Sequence, residues 1–191
     1  MTDTQSVTRT GNLLDGIRIR QAVQSDLRGM EWEGEFQRFR GVYADVFARA
    51  QRGLAVMWVA EVPGIGLAGQ AFVQLKMADR SCADGRKRAY LHSFRVRPEF
   101  RGQGLGTAMM QYVEDDLIGR DFQELTLNVA EDNPDAIRLY QRLGYRIVKR
   151  ISGKWSYYDD QGHLRQVSEP GYRLIKRLNN NHQRESVFLK E

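Results

Sequence analysis

Apolar residues along the chain follow two rhythms, one of two residues and one of three to four, and the chain switches between them several times. Strict alternation at Ile17-Arg18-Ile19-Arg20 predicts a short strand. Ser25-Asp26 offers N-cap chemistry for a helical stretch through Trp32 and Phe36. Val42, Val46 and Ala50 share one face of a second helix over Val42 to Arg52, which Gly53 ends. Two strands, Ala55 to Glu61 and Ala68 to Lys76, flank Pro63-Gly64-Ile65-Gly66, a turn suited to a hairpin. After a polar loop, Asp79 to Arg88, a strand over Ala89 to Arg97 places Tyr90, His92, Phe94 and Val96 on one face. Leu91, Ser93 and Arg95 take the other face, and Pro98 closes the strand.

The second half continues the exchange. Gly104 to Leu117 has helical spacing, with Leu105, Met109, Tyr112 and Val113 on one side. Leu125 to Val129 alternates again. Asn133 then caps a short helix with Pro134 at its first position and Gly144 beyond its end. Tyr145 to Trp155 and Tyr172 to Arg177 read as two final strands, joined by a long connection containing Asp159-Asp160-Gln161-Gly162. The sum is an α/β chain whose hairpin argues against a purely parallel sheet.

The 191 residues fit one globular domain, expected over 16–178, with flexible polar segments at 1–15 and 179–191. A content of 41% hydrophobic and 28% charged residues excludes wholesale disorder and a fibrous fold. With no apolar run of about 20 residues and no signal-peptide core at the start, the expected location is cytoplasmic, with no membrane partner. The net charge of +5 is scattered along the chain, and no nucleic-acid motif is visible, so nucleic acid is not an expected partner. The single cysteine, Cys82, excludes an internal disulfide. With only three histidines no metal site is expected, and Cys82 itself reads as a surface bystander in the polar loop.

The chemistry concentrates in Val96-Arg97-Pro98-Glu99-Phe100-Arg101-Gly102-Gln103-Gly104-Leu105-Gly106-Thr107, where a strand runs through a glycine-rich turn into an amphipathic helix. The first N–H groups of a helix lack internal partners and sit at the positive end of its dipole, so such a turn suits a diphosphate. Gly102, Gly104 and Gly106 are evenly spaced and miss the dinucleotide fingerprint, and no Lys stands here for a P-loop. The pattern Arg-x-x-Gly-x-Gly after Val-x-Pro resembles the pyrophosphate-binding signature of the GNAT superfamily of acyl-CoA-dependent acetyltransferases. A second segment, Asn133-Pro134-Asp135-Ala136-Ile137-Arg138-Leu139-Tyr140-Gln141-Arg142-Leu143-Gly144-Tyr145, is similar to the family's Asn-x-x-Ala-x-x-Leu-Tyr-x-x-x-Gly-Phe/Tyr stretch at every marked position.

The resemblance implies a mixed, mostly antiparallel central sheet flanked by helices. In it two neighbouring parallel strands, by position Tyr90 to Arg97 and Leu125 to Ala130, splay into an acyl-CoA cleft. It implies acetyl-CoA as cosubstrate, held by Phe94 and Val96 on the strand and by Arg101, Gly102, Gln103, Gly104, Leu105, Gly106 and Thr107 in the loop. Asn133, Ala136 and Tyr140 would complete that set from the following helix. It implies direct attack of a primary amine on the acetyl thioester, with Tyr140 as the acid. His92 is placed like a histidine in the arylalkylamine acetyltransferases and becomes the expected base, with Glu33 and Glu35 behind it. The acceptor, a small-molecule amine or a peptide N-terminus, is left open. Trp32, Phe36, Trp155, Tyr157 and Tyr158 are the expected pocket walls, and Asp159, Asp160 and Glu33 the expected attraction for an amine. Two other readings stay open, a protein N-terminal acetyltransferase of the ribosomal-protein type and a non-catalytic acyl-CoA sensor. Dimers are common in the family, so a homodimer is allowed.

Overall fold

The computed structural model describes residues 16–178; the two segments expected to be flexible, 1–15 and 179–191, lie outside the described residues. Nine strands and four α-helices follow in the order β1 (Arg18–Gln21), α1 (Asp26–Gly29), α2 (Arg40–Gln51), β2 (Ala55–Val62), β3 (Gly66–Gln74), β4 (Arg88–Val96), α3 (Leu105–Gly119), β5 (Glu124–Ala130), α4 (Pro134–Arg142), β6 (Arg146–Ile151), β7 (Lys154–Tyr158), β8 (Leu164–Ser168) and β9 (Gly171–Arg177). Seven strands form one sheet in the order β1-β2-β3-β4-β5-β9-β6, while β7 and β8 pair apart from it. Every pairing in the large sheet is antiparallel except β4 with β5, which run parallel.

Helices cover both faces of the sheet. Strand β2 is therefore buried at six successive residues, Ala55 to Ala60, and its alternation sorts them between two cores. Val56, Trp58 and Ala60 pack with Leu105, Met109, Met110, Val113 and Leu117 of α3; Ala55, Met57 and Val59 pack with Tyr43 and Val46 of α2. Each large side chain so buried contributes about 1.5–3 kcal/mol. Tyr112, expected on the inner face of α3, is instead half exposed and lies against Trp58 at 6.2 Å between ring centroids.

Five further expectations change. The helix opening at Asp26 stops at Gly29, because Trp32, Glu33 and Gly34 all have positive φ and break the helical path. Ser25 makes no side-chain cap there; the Asp26 carboxylate instead accepts from the Val23 N–H at 2.7 Å and from Arg20. The single strand expected over Tyr145 to Trp155 is two, separated at Gly153 (φ +61), where a Cβ would stand 1.6 Å from the Glu169 carbonyl oxygen. What reads as a long connection is the β7–β8 hairpin, turned at Asp159 to Gly162. Cys82 is no surface bystander: it is buried, its Sγ donates to Asp79 at 3.2 Å, and burial pushes the thiol up to about 11.

The expected common face of Tyr90, His92, Phe94 and Val96 is also broken. His92 pairs with Phe72 and Arg95 with Gln70, so Ser93 and Phe94 together face Ala71 alone. This is a β-bulge, with Ser93 at φ +51. Before it, Ala89 and Leu91 face α3 while His92 faces the α2 side against Phe72; after it, Phe94 and Val96 face α3 and Arg95 takes the α2 side.

Two glycines test the packing in opposite directions. A Cβ on Gly171 would meet the Val129 carbonyl oxygen at 2.1 Å, whereas one on Gly119, at the end of α3, meets nothing within 4 Å. In urea unfolding, Gly171→Ala is expected to cost about 3 kcal/mol and Gly119→Ala to add about 0.5–1 kcal/mol. Equal midpoints for the two variants would contradict this packing.

Candidate active site

The parallel ladder between β4 and β5 runs only from Arg88 opposite Glu124 to Leu91 opposite Leu127. Beyond that point β4 continues with β3 as far as Val96, and β5 continues with β9 as far as Ala130. The facing edges of His92 to Val96 and Asn128 to Ala130 thus part company inside the sheet. Arg97 donates its N–H to the Ala68 carbonyl at 2.8 Å, so strand alternation turns the N–H and C=O of Val96 into this gap. Unpaired strand edges of this kind accept an extended ligand as an added strand.

At the mouth of the gap, Pro98–Phe100 makes a 3-10 turn and buries Phe100 in the α3 core. Gly102 (φ +72) and Gly104 (φ +89) then take left-handed backbone that other residues adopt at a cost, and space is open around Gly102. The intrahelical ladder begins with the Ala108 N–H on the Gly104 carbonyl. Among the described residues nothing accepts from the N–H groups of Gly102, Gln103, Gly104, Leu105, Gly106 or Thr107, and no acidic side chain lies in the first turn of α3. That cluster has the form of an anion nest. Arg101 does not point charge-first into it. Its Nε donates to the Val96 carbonyl at 2.9 Å, lashing the loop to the strand edge. Gln103 donates to the Glu99 carbonyl at 2.7 Å, leaving its own buried Oε1 without a partner.

Helix α4 supplies the other wall. The Asn133 carboxamide oxygen accepts from the Ala136 N–H at 3.1 Å and Pro134 fills the first turn, as its sequence requires. The half-buried Ala136 packs on the main core. Tyr140, 6% exposed, lies with its ring 6.4 Å from Phe94 and 5.7 Å from Tyr145. A Cβ on Gly106 would sit 3.6 Å from both Phe94 and Leu139, so strand, nest and helix converge there. Burial, with Tyr90 nearby, holds the Tyr140 phenol well above its ordinary value. It is a standing hydrogen-bond donor rather than a base.

His92 faces the opposite side of the sheet, half-buried, edge-on to Phe72 at 5.7 Å. Arg49 donates from Nε to the Gln74 Oε1 at 2.8 Å, which turns the Gln74 NH2 towards His92 Nε2 at 3.1 Å. Nε2 must therefore accept, and Nδ1–H donates to Ser93 Oγ at 3.1 Å. Burial, reinforced by Arg95 and Arg49, pushes this imidazole down to about 4. The expected base is thus neutral with its lone pair already engaged.

On the same side, Phe36 and Phe39 stack at 6.4 Å, and Phe39 meets Trp155 and Tyr157 of β7 at 6.3 and 4.8 Å. Trp32, buried, meets Phe36 edge-on at 5.2 Å and backs this wall, whereas Tyr158 projects into solvent. The acidic residues expected to attract an amine are occupied. Glu33 is held by both terminal nitrogens of Arg97, and Asp160 accepts from Gln37. Against its burial, Asp159 is held at about 2 by the His163 and Gln161 N–H groups and Arg165.

A family model for the acetyltransferase (GNAT) family matches residues 24–145, well over half of the chain. The chain belongs to this family. Similar solved structures include Ard1 from Thermoplasma volcanium, at 18% identity and TM-score 0.66, covering 86% of this chain and 99% of its own. The ribosomal-protein-S18-alanine N-acetyltransferase from Escherichia coli aligns at 21% identity and TM-score 0.62, over 85% and 94%. The spermidine/spermine N-acetyltransferase SpeG from Vibrio cholerae aligns at 14% identity and TM-score 0.65, over 91% and 99%. At these identities the likeness establishes the fold. GNAT enzymes use acetyl-CoA as cosubstrate, and this chain's sheet has the mixed, mostly antiparallel form expected of the family.

Within this GNAT fold, Phe94, Val96, Gly106, Ala136 and Tyr140 gather on the α3 side of the gap beside the nest of 101–107. His92 stands apart, across the sheet. Arg95, Tyr43 and Phe39 also line that far side; for the β4 residues the alternation pattern went astray because it allowed no bulge, and no local signal marked Tyr43 or Phe39. Among the described residues no cluster of His, Cys, Asp or Glu suits a metal ion, and no helix is long and apolar enough to cross a membrane.

The His92 environment gives a testable proton balance. The unfolded chain, with an ordinary imidazole near 6.5, takes up a proton before the folded one does. Stability is therefore expected to fall as pH drops from about 6.5 to about 4 and to be unaffected by this group above that window. A ring-nitrogen NMR titration should show a neutral Nδ1–H tautomer down to about pH 5; a midpoint near 6.5 would contradict the assigned environment.

Proposed function

We propose that the protein is an N-acetyltransferase that carries the acetyl group of acetyl-CoA to a primary amine by direct attack. One observation supports it above the rest: the β4–β5 gap opens beside a nest of six unpartnered N–H groups. An extended pantetheine arm suits the gap edge at Phe94 and Val96, and its diphosphate suits the amides of Gly102 to Thr107. The room at Gly102 and the absence of a carboxylate in the first turn of α3 fit that group. Asn133 and Ala136 would line the arm from α4. The Arg101 clamp on the Val96 carbonyl keeps nest and edge in register.

Acetyl-CoA supplies an activated thioester, on which a neutral amine acts without a covalent enzyme intermediate. Tyr140 takes the acid position. A thiol near 8.5 is a stronger acid than a phenol raised above 10, so full proton transfer from Tyr140 runs uphill. Its role is to donate a hydrogen bond to the departing thiolate. With Nε2 engaged by Gln74 and a value of about 4, His92 is a poor base. We assign it to shaping the acceptor side, and the amine reaches the gap as its free base. The buried phenol converging on the gap favours catalysis over a sensor.

Two measurements test the reading. Tyr140→Phe should lower kcat about 100-fold or more with little change in KM for acetyl-CoA; unchanged turnover removes Tyr140 from the mechanism. His92→Gln should leave the shape of the pH–rate profile intact, and loss of its acid limb would restore His92 as the base. Calorimetry that finds no binding of coenzyme A or acetyl-CoA would sink the whole proposal.

A further inference from the structure

Resting on that reading, the structure points to a carboxylate-bearing amine, an amino acid with an apolar or aromatic side chain, as the acceptor, and we propose Arg95 as the residue that recognises its anion. With the α3 face of the gap taken by Phe94, Tyr140 and the nest, an attacking amine must come from the other face. Arg95 stands there, three residues beyond His92 and past the bulge that turned it that way. Its guanidinium lies over the rings of Phe36 at 4.1 Å and Phe39 at 5.0 Å, and its Nη1 donates to the Tyr43 hydroxyl at 2.9 Å. Stacking and this bond hold the planar fork in place. Among the described residues its remaining N–H groups have no partner, and no carboxylate pairs with it.

The charges around it point the same way. Glu31 is held by Arg40, Glu33 by Arg97 and Asp159 by Arg165, and Glu35 stands exposed without a bond to Arg95. Arg173 has Asp79 at 3.8 Å. Among the described residues Arg49, behind Gln74, bonds only to Gln74 and the Lys76 carbonyl. The acceptor side therefore keeps, among the described residues, three guanidinium groups without a carboxylate, those of Arg95, Arg49 and Arg38, the last lying over Phe39 at 4.7 Å and donating to the Glu35 carbonyl. Such a surface repels a polycation and attracts an oxyanion, and it favours the unprotonated amine that the attack requires. The neighbouring aromatic wall of Phe36, Phe39, Trp155 and Tyr157 suits an apolar side chain beside the anion. In the transfer, the amine nitrogen bonds to the acetyl carbon, the carbon–sulfur bond breaks with its electron pair going to sulfur, and one amine proton is released.

The test follows thiol release from acetyl-CoA with phenylalanine, phenylalaninamide, phenethylamine, their tryptophan counterparts and spermidine. The amino acids are expected to exceed their amides and decarboxylated amines at least tenfold in kcat/KM, with spermidine lowest. Arg95→Gln should lose at least tenfold on the amino acids, mainly through KM, and Arg95→Lys should recover part of it. Equal use of the amide or the amine by the unmodified enzyme overturns the inference, whatever the fate of the variants, as does a preference for spermidine. Calorimetric binding of acetyl-CoA with no thiol release on any acceptor overturns the transferase reading and takes this inference with it.

Discussion

The molecule turns on one extra residue in β4. Opposite Ala71 the strand spends Ser93 and Phe94 where one residue would keep step with β3, and a bulged strand bends. The parallel ladder to β5 ends at Leu91, immediately before it. Interior strands rarely leave polar edges unpaired, because each orphaned group costs free energy comparable to a lost hydrogen bond. Here the sheet tolerates the opening because β3 and β9 still hold the outer edges of the two strands. The opening thus persists in the middle of a hydrogen-bonded sheet.

The same residue assigns the two faces their separate work. Phe94 and Val96 turn to α3, where the glycine loop and Tyr140 gather. Arg95 turns to α2, where Tyr43 and the aromatic rings receive it. Three arginines near the end of the strand have distinct attachments. Arg97 binds Glu33 and the Leu67 carbonyl, fixing the turns before α2; Arg101 grips Val96; Arg95, among the described residues, bonds to Tyr43 alone. Exposed ion pairs such as Arg97 with Glu33 add little stability, so their worth lies in positioning.

Much of the α3–α4 side was legible in the sequence because its signals are local. Asn133 and Pro134 specify their own helix start within four residues, and glycines at 102 and 104 are required wherever the backbone turns left-handed. The α2 side of the sheet was not legible. Gln74, eighteen residues upstream, sets the tautomer of His92, and Arg49 in turn orients Gln74. The polar loop hid a buried thiol because Asp79 and Asp84 fold it back through bonds to their own backbone neighbours. The β7–β8 hairpin carries its turn residues in plain view, yet its separation from β6 depends on Gly153 meeting Glu169, a contact between distant residues.

The sequence by itself determined the order of elements, the nest at the start of α3, the cap of α4 and the presence of Tyr140 on its inward face, since helices and turns are chosen by neighbours a few positions apart. Only the tertiary structure decided where β4 slips by one residue, which face Arg95 and His92 take, and which charges are left unmatched. Strand register is a property of two chains pairing. A shift of a single residue in that pairing reverses every side chain beyond it, with no trace in the alternation of one strand read alone.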